Sequence, residues 1–264
     1  MSAENKIEWT KLLEQAISEP GKINEAYRRF HGYSLGNRLW AMCQCVTRGI
    51  EPSPLASFNR WKELGRHVKK GERALSLCMP VTRKRSQADR DGNEIEIITY
   101  QFFVLKKNWF VLSQTEGADY TPDPIPNWDE QRALSILNIS KVPFDLLNGN
   151  VQGYAAPDRK VSVSPLATQP FKTLFHEFAH QILGHVEPAG ALTDEETTPS
   201  NVQEVEAESV AMLCCASLGL PGVEYSRDYI QSWAEGQPIG EKAAHRIFAA
   251  ADKILKAGTE ALQQ

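Results

Sequence analysis

Long apolar runs are missing. Nowhere among the 264 residues does a hydrophobic stretch approach the roughly 18 residues that a membrane-crossing helix needs. The first residues carry Glu4, Lys6 and Glu8 where a secretory leader would place an apolar segment. Both absences point to a soluble, cytoplasmic protein with no membrane partner. Cysteine is scarce as well: there are five, at positions 43, 45, 78, 214 and 215. An odd number without a C-x-x-C pair suits neither a disulfide framework nor a zinc knuckle, so reduced thiols are expected. Cys43 and Cys45, like Cys214 and Cys215, lie in helical stretches where residues one or two apart face different ways, so neither pair is read as a metal site. Compositional bias is also lacking: 42% hydrophobic and 23% charged residues exclude disordered, collagenous and coiled-coil chains. The length suffices for one large domain or two small ones.

What the chain does have is a division of charge. Residues 1–113 hold 19 Lys and Arg against 12 Asp and Glu, whereas residues 114–264 hold 10 against 21. An anion-seeking part joined to an acidic one is the natural reading. Pro122, Pro124 and Pro126 crowd the segment between them. The expected organisation is a domain over 1–113, a Pro-rich linker over 114–127 and a second domain over 128–264.

In the first part, apolar residues recur with helical spacing from Ile7 to Ile17, stopping near Pro20-Gly21, and again from Ser34 to Thr47. Phe58 to Lys70 reads as a third helix carrying Trp61, Leu64 and Val68, with Gly71 as its stop. The period then changes to two, over Ala74–Val81 and Glu94–Leu105, predicting strands across an Asp91-Gly92-Asn93 turn. The fold class is α+β. Cations and flat side chains are interleaved in two groups. One contains Arg28, Arg29, His31, Tyr33, Asn37 and Arg38; the other contains Arg60, Trp61, Arg66, His67, Lys69, Lys70 and Arg73. Lys and Arg neutralise phosphates with counterion release, and aromatic rings stack on unpaired bases without regard to sequence. A sequence-nonspecific single-stranded DNA groove fits this pattern; so does a solvated basic face with Trp61 in a core, and composition does not separate them. Arg83-Lys84-Arg85 is read as a hairpin tip.

The sharpest signal is His176-Glu177-Phe178-Ala179-His180. On a helix, residues i and i+4 stand one above the other. Two imidazoles can then bind one Zn²⁺ while Glu177 lies one step round, beside the metal-bound water. Pro170 and the apolar run through Leu183 supply the helix, and Gly184 its end. A catalytic zinc takes three protein ligands and keeps an open position. Glu204-Val-Glu-Ala-Glu208 opens a further helix, capped at Thr198-Pro199-Ser200 and stopped at Gly219. Glu204 and Glu208 share a face and Glu206 points elsewhere, so one of the pair should ligate the metal and the other should orient a ligating histidine. His185, five residues after His180, misses the metzincin spacing by one and is read as a loop or cleft residue. Ahead of this helix, Gly153–Ser164 reads as a hairpin near the zinc that could hold substrate backbone by strand addition, with Tyr154 available to polarise a carbonyl.

These residues resemble the ArdC-type anti-restriction proteins of plasmids and phages. Tyr33-Ser-Leu-Gly-Asn-Arg-Leu39 and Phe58-x-x-Trp61-x-x-Leu64-Gly65-Arg66-x-Val68-x-Lys70-Gly71-Glu72 look like that family's single-stranded-DNA-binding domain. His176-Glu177-x-x-His180 and Glu204-x-x-Ala207-Glu208 resemble its zincin-like metallopeptidase domain. Tyr229-Ile-Gln-Ser-Trp233, Ala243-Ala244 and Ala249–Leu255 resemble its closing helices. The resemblance implies His176, His180 and Glu204 as zinc ligands and Glu177 as general base. Related gluzincin patterns usually carry Asp where this chain has Glu208, which keeps Glu204 and Glu208 both eligible as third ligand. The resemblance raises DNA binding above the solvated-face reading, with Tyr33, Asn37, Arg38, Arg60, Trp61, Arg66, Lys69, Lys70 and Arg73 as candidate contacts. The expected function is protection of incoming plasmid or phage DNA by a protein that binds single strands and carries a zinc peptidase-type site. Two alternatives stand beside it: a DNA-associated zinc protease acting on a regulator or on DNA-crosslinked protein, and a non-catalytic DNA-shielding protein with a structural zinc.

Overall fold

The structure, a computed structural model, describes residues 7–88, 94–146, 151–186, 200–224, 226–227, 230 and 239–259. Helix and sheet are mixed. The chain divides into two compact units, one built chiefly of Trp40–Pro122 and the other of Glu8–Leu39 together with the chain from Asp123 onward. No helix among the described residues is long and apolar enough to cross a membrane.

The division differs from the expected boundaries. Helices α1 (Trp9–Ser18) and α2 (Pro20–Arg29) belong to the second unit, not to the basic first part. Charge marks surfaces, whereas the apolar faces of these helices decide what they pack on. Leu12, Leu13, Ala16 and Ile17 are buried on α1, and Ile23, Ala26 and Tyr27 on α2. The expected stop at Pro20 is also the first residue of α2, where a missing N–H costs nothing. The expected linker is partly structured: Thr115–Gly117 is a strand, and the Tyr120 ring meets Trp61 edge-on at 5.1 Å.

In the first unit, β1 (Leu55–Ser57), β4 (Glu94–Val111) and β3 (Leu75–Ala88) form an antiparallel sheet in the order β1–β4–β3. The β3–β4 hairpin is longer than its alternation predicted, and its Asp91–Asn93 turn lies outside the described residues. Arg83–Arg85 sits inside the paired strands, Arg83 opposite Tyr100, and not at the tip. The expected helix over 58–70 is a second correction. Helix α4 (Phe58–Glu63) is only six residues long, and Arg66–Val68 is a strand, β2, paired with β5 (Thr115–Gly117). Gly65, at φ +72°, reverses the chain. A Cβ at Gly117 would stand 2.5 Å from Gly65 O, so the two backbones meet closer than side chains permit. Trp61, Leu64 and Val68 do share one core, with Ala56 and Phe110, but they reach it from helix, turn and strand.

Helix α3 (Leu35–Arg48) continues from one unit into the other. Its Gln44 side chain accepts from Ser76 N (2.9 Å) and donates to Ser76 O (2.8 Å), replacing ladder bonds at the β3–β4 irregularity.

The second unit is built around α7 (Ser200–Leu218), which is buried from Val205 to Ser217 on all sides. A helix apolar all round belongs at the centre of a bundle. Helices α2, α6 (Pro170–Leu183) and α8 (Glu241–Gly258) pack on it. Glu241 accepts from the backbone N–H groups of Trp9 (3.0 Å) and Thr10 (3.2 Å), closing the start of α1. Asp252 Oδ1 accepts from Leu35 N at 2.9 Å. Helix α5 (Glu130–Leu137) packs on α8. A small sheet in the order β6–β8–β7, from Ser140–Lys141, Lys160–Val163 and Gly153–Ala156, lies against α6.

Candidate metal centre

Helix α6 forms as expected. Pro170 opens it, Gly184 at φ +75° ends it, and Leu174, Phe175, Phe178 and Ala179 are buried along one side. The other side carries His176 and His180, whose Nε2 atoms lie 3.0 Å apart. From α7, the Glu204 carboxylate comes within 3.2 Å of His176 Nε2 and 3.5 Å of His180 Nε2. The three residues offer ligand atoms within 4.8 Å of one another, a donor set that could hold a divalent metal ion.

The structure separates the two carboxylates that their four-residue spacing puts on one helix face. Glu204 faces both Nε2 atoms. Glu208, one turn further on, lies behind His176: its Oε2 is 3.2 Å from His176 Nδ1, and its Oε1 pairs with Lys172 at 2.6 Å. His180 is backed differently. Its Nδ1 lies 3.1 Å from His185 Nδ1, and His185 Nε2 is 2.9 Å from Glu206 Oε2.

The charges are strongly coupled. Burial opposes a charge on His176, but hydrogen bonds to Glu204 and Glu208 outweigh it and raise His176 to about 9. Burial, with His176 beside it, lowers His180 to about 4. The bond to His176 holds Glu204 below the usual carboxylate range. Burial works against Glu208, yet its bonds with His176 and Lys172 bring it down to about 2. Glu177, buried between the helix and the sheet, is pushed up to about 7, chiefly by desolvation. A carboxyl poised near neutrality can take and return a proton. Gly153 at the start of β7 lies beside it: a Cβ there would stand 3.2 Å from Glu177 Oε1, 2.8 Å from Ser162 O and 2.5 Å from Thr173 Cγ2. Gln181 Nε2 donates to Ala156 O (2.7 Å) and Lys160 O (2.9 Å), tying the β7–β8 turn to α6. Tyr154, on β7, donates its hydroxyl to Asp145 Oδ1 at 2.9 Å, so a role at a substrate carbonyl requires that bond to break.

The expected DNA contacts are only partly brought together. Tyr33, Asn37 and Arg38 belong to the helical unit. Asn37 and Arg38 are buried, and the Arg38 guanidinium donates to Tyr33 O and His31 O, both at 2.6 Å, and lies over the Tyr27 ring. Trp61 is 1% exposed and donates to Phe110 O at 2.7 Å, so its ring is core and offers no face to a base. Arg66 spends its guanidinium on Thr115 and Ala118. Lys69 bonds Ser113 O at 2.9 Å, and Arg60 pairs with Glu63 on the surface. Lys70 and Arg73 are exposed. Arg73, Arg48 and Lys107 line a cavity of about 680 Å³ together with Glu72, and Arg48 also donates to Ala74 O at 3.0 Å. In the same unit Phe58, Phe102 and Phe103 are exposed among the described residues.

Residues 3–108 match the N-terminal domain of anti-restriction factor ArdC. The fold matches a crystal structure of the metal-free antirestriction protein ArdC from plasmid R388, with a TM-score of 0.52 and 21% identity, covering 95% of this chain and 94% of that one. Over residues 3–108 this chain carries an ArdC-type N-terminal domain. It is also 24% identical to the uncharacterized protein y4eC of Sinorhizobium fredii, over 90% of this chain and 79% of that protein. A second relative, the uncharacterized protein pXO2-81 of Bacillus anthracis, is 24% identical over 71% of this chain, which spans 39% of that protein's length. The ArdC N-terminal match runs through both compact units, because α1 and α2 lie within it.

In this chain, the sequence pattern did not reveal the parts of His185 and Glu206. Glu206 was expected to point away from the site, and it does leave the Glu204 face, but it turns towards the histidine that backs His180. Cationic Arg48 and Lys107 were missed too, because α3 and β4 bring them to Arg73 from distant parts of the chain. A His one residue past the helix-ending Gly184 was the one legible hint, since a left-handed C-cap folds the next residue back onto the last turn.

Proposed function

We propose that the chain binds single-stranded DNA through its Trp40–Pro122 unit and carries a zinc-dependent, gluzincin-like peptidase site in its helical unit, acting as an ArdC-like anti-restriction protein for incoming plasmid or phage DNA. The observation that carries the enzymatic part is the meeting of His176 Nε2, His180 Nε2 and the Glu204 carboxylate, with Glu177 buried alongside at an acidity near neutral. The donor set fits Zn²⁺: two imidazoles and a carboxylate, both imidazoles backed at their other nitrogens. A bound zinc ion supplies Lewis acidity and a water of lowered pKa. Glu177 takes the proton of the attacking water and returns it to the leaving amine. The outer edge of β7, next to Glu177, suits an extended peptide added as a strand.

The DNA part rests on Arg73 and Lys107 at the rim of the cavity they line with Arg48 and Glu72 and on exposed Lys70, with Phe58, Phe102 and Phe103 in place of Trp61 as exposed rings for base stacking. A protein substrate bound to the same DNA would meet the peptidase site at raised local concentration. The test combines zinc content of the purified protein, affinity for single- and double-stranded DNA across salt, and proteolysis of DNA-bound proteins by wild type and Glu177→Gln. Zinc retained with proteolysis lost in the variant supports the reading. Proteolysis surviving in the variant excludes the mechanism. Protection of DNA that survives it while proteolysis is lost selects the non-catalytic shielding alternative.

A further inference from the structure

His180 stands at the front of a chain of buried polar groups that continues away from the ligand cluster. Its Nε2 faces His176 and Glu204, and its Nδ1 lies 3.1 Å from His185 Nδ1. His185 Nε2 is 2.9 Å from Glu206 Oε2, and both side chains are 2% exposed. Glu206 Oε1 lies 3.6 Å from Arg246 Nη1, while Arg246 Nη2 donates to Leu183 O at 2.8 Å at the end of α6. The local backbone builds this placement: His185 N donates to His180 O at 2.9 Å across the left-handed Gly184, which folds His185 beneath His180.

Donor and acceptor matching leaves one arrangement that presents a lone pair at His180 Nε2. The proton of His180 sits on Nδ1 and is donated to His185 Nδ1. His185 then carries its own proton on Nε2 and donates it to Glu206, whose other oxygen faces Arg246. Imidazole is the side chain that can accept at one ring nitrogen and donate at the other in this geometry.

We propose that His185 and Glu206 are positioning residues that fix the tautomer and ring orientation of His180, so that divalent-ion affinity depends on two residues that touch no ion. This rests on the metal-centre reading, and it adds an imidazole–imidazole–carboxylate relay behind one ligand to the single carboxylate, Glu208, behind the other.

The test is Zn²⁺ affinity of the full chain, by competition with a chromophoric chelator, together with ¹⁵N NMR of the His180 ring. Replacing both relay members by apolar residues, His185→Phe with Glu206→Leu, avoids a stranded buried charge. The expected result is a loss of about 10- to 100-fold in Zn²⁺ affinity, with loss of the single Nδ1–H tautomer of His180. Glu206→Gln keeps an acceptor for His185 but removes the charge, and covers the case in which the double variant fails to fold; it should give a smaller loss with the tautomer retained. Wild-type affinity and a single tautomer in a folded variant overturn the relay while leaving the metal centre standing. Failure of the wild type itself to bind Zn²⁺ overturns both.

Discussion

Gly153→Ala probes the contact between β7 and the helix that carries the site. The new methyl carbon would stand 2.5 Å from Thr173 Cγ2 and 2.8 Å from Ser162 O. Neither neighbour yields easily, since Thr173 is on α6 and Ser162 O belongs to β8, the strand to which β7 is paired. The strand must therefore shift away from α6, and overpacking of this kind costs about 1–3 kcal/mol. Replacing Gly by Ala also restricts the unfolded chain, which returns about 0.4–1 kcal/mol. The net loss spans about 0–2.6 kcal/mol and centres near about 1.3 kcal/mol, which for a chain of this size lowers Tm by about 3–5 °C. Because the same carbon approaches Glu177 Oε1 to 3.2 Å, any hydrolytic activity should fall further than the stability loss explains. Calorimetry on this variant beside Gly32→Ala, where a Cβ meets nothing within 4 Å, separates local crowding from a general effect of alanine. A raised Tm for Gly153→Ala would refute the packing argument.

Glu177→Gln should bind Zn²⁺ like the wild type and lose about 10²- to 10⁴-fold in peptide hydrolysis, measured on a DNA-bound protein substrate; retained hydrolysis contradicts the role given to Glu177. Trp61→Ala should cost about 3–5 kcal/mol in chemical denaturation, because the ring is core, whereas a stable variant with DNA affinity lost would return Trp61 to the binding surface. Replacing Arg73 and Lys107 together by Gln should flatten the slope of log K against log salt for single-stranded DNA by about 1.4, or 0.7 per phosphate contact; an unchanged slope places the DNA elsewhere. Burial pushes Cys45 up to about 11 and Cys215 up to about 12, and Cys214 is raised well above its ordinary value. At pH 8 these thiols hold about one part in a thousand thiolate or less. Iodoacetamide should therefore label at most Cys43 and Cys78 in the native protein and all five after denaturation, as read by mass spectrometry.

The placing of His176 and His180 on one helix face was legible because its information is local. A His-x-x-x-His pair on an amphipathic helix with Pro at its start and Gly at its end needs no tertiary knowledge, and α6 spans Pro170–Leu183 as the pattern implies. The choice between Glu204 and Glu208 was not legible, since four-residue spacing gives both the same face; only the axial offset of α7 against α6 puts one in front of the imidazoles and the other behind. The relay through His185 and Glu206 was hidden for the same reason. In the first part, clustering of charge said nothing of which guanidinium groups the fold itself consumes: Arg38 and Arg66 are spent on backbone carbonyls. The helical period through Trp61, Leu64 and Val68 was real as burial but false as helix, because a single left-handed glycine redirects the chain while the core stays common.

The most direct measurement is anomalous diffraction at the zinc edge from crystals of the full chain grown with Zn²⁺. A single strong peak enclosed by His176 Nε2, His180 Nε2 and the Glu204 carboxylate is expected, absent from crystals of His180→Ala. A zinc peak elsewhere, or none at this cluster at saturating Zn²⁺, would contradict it.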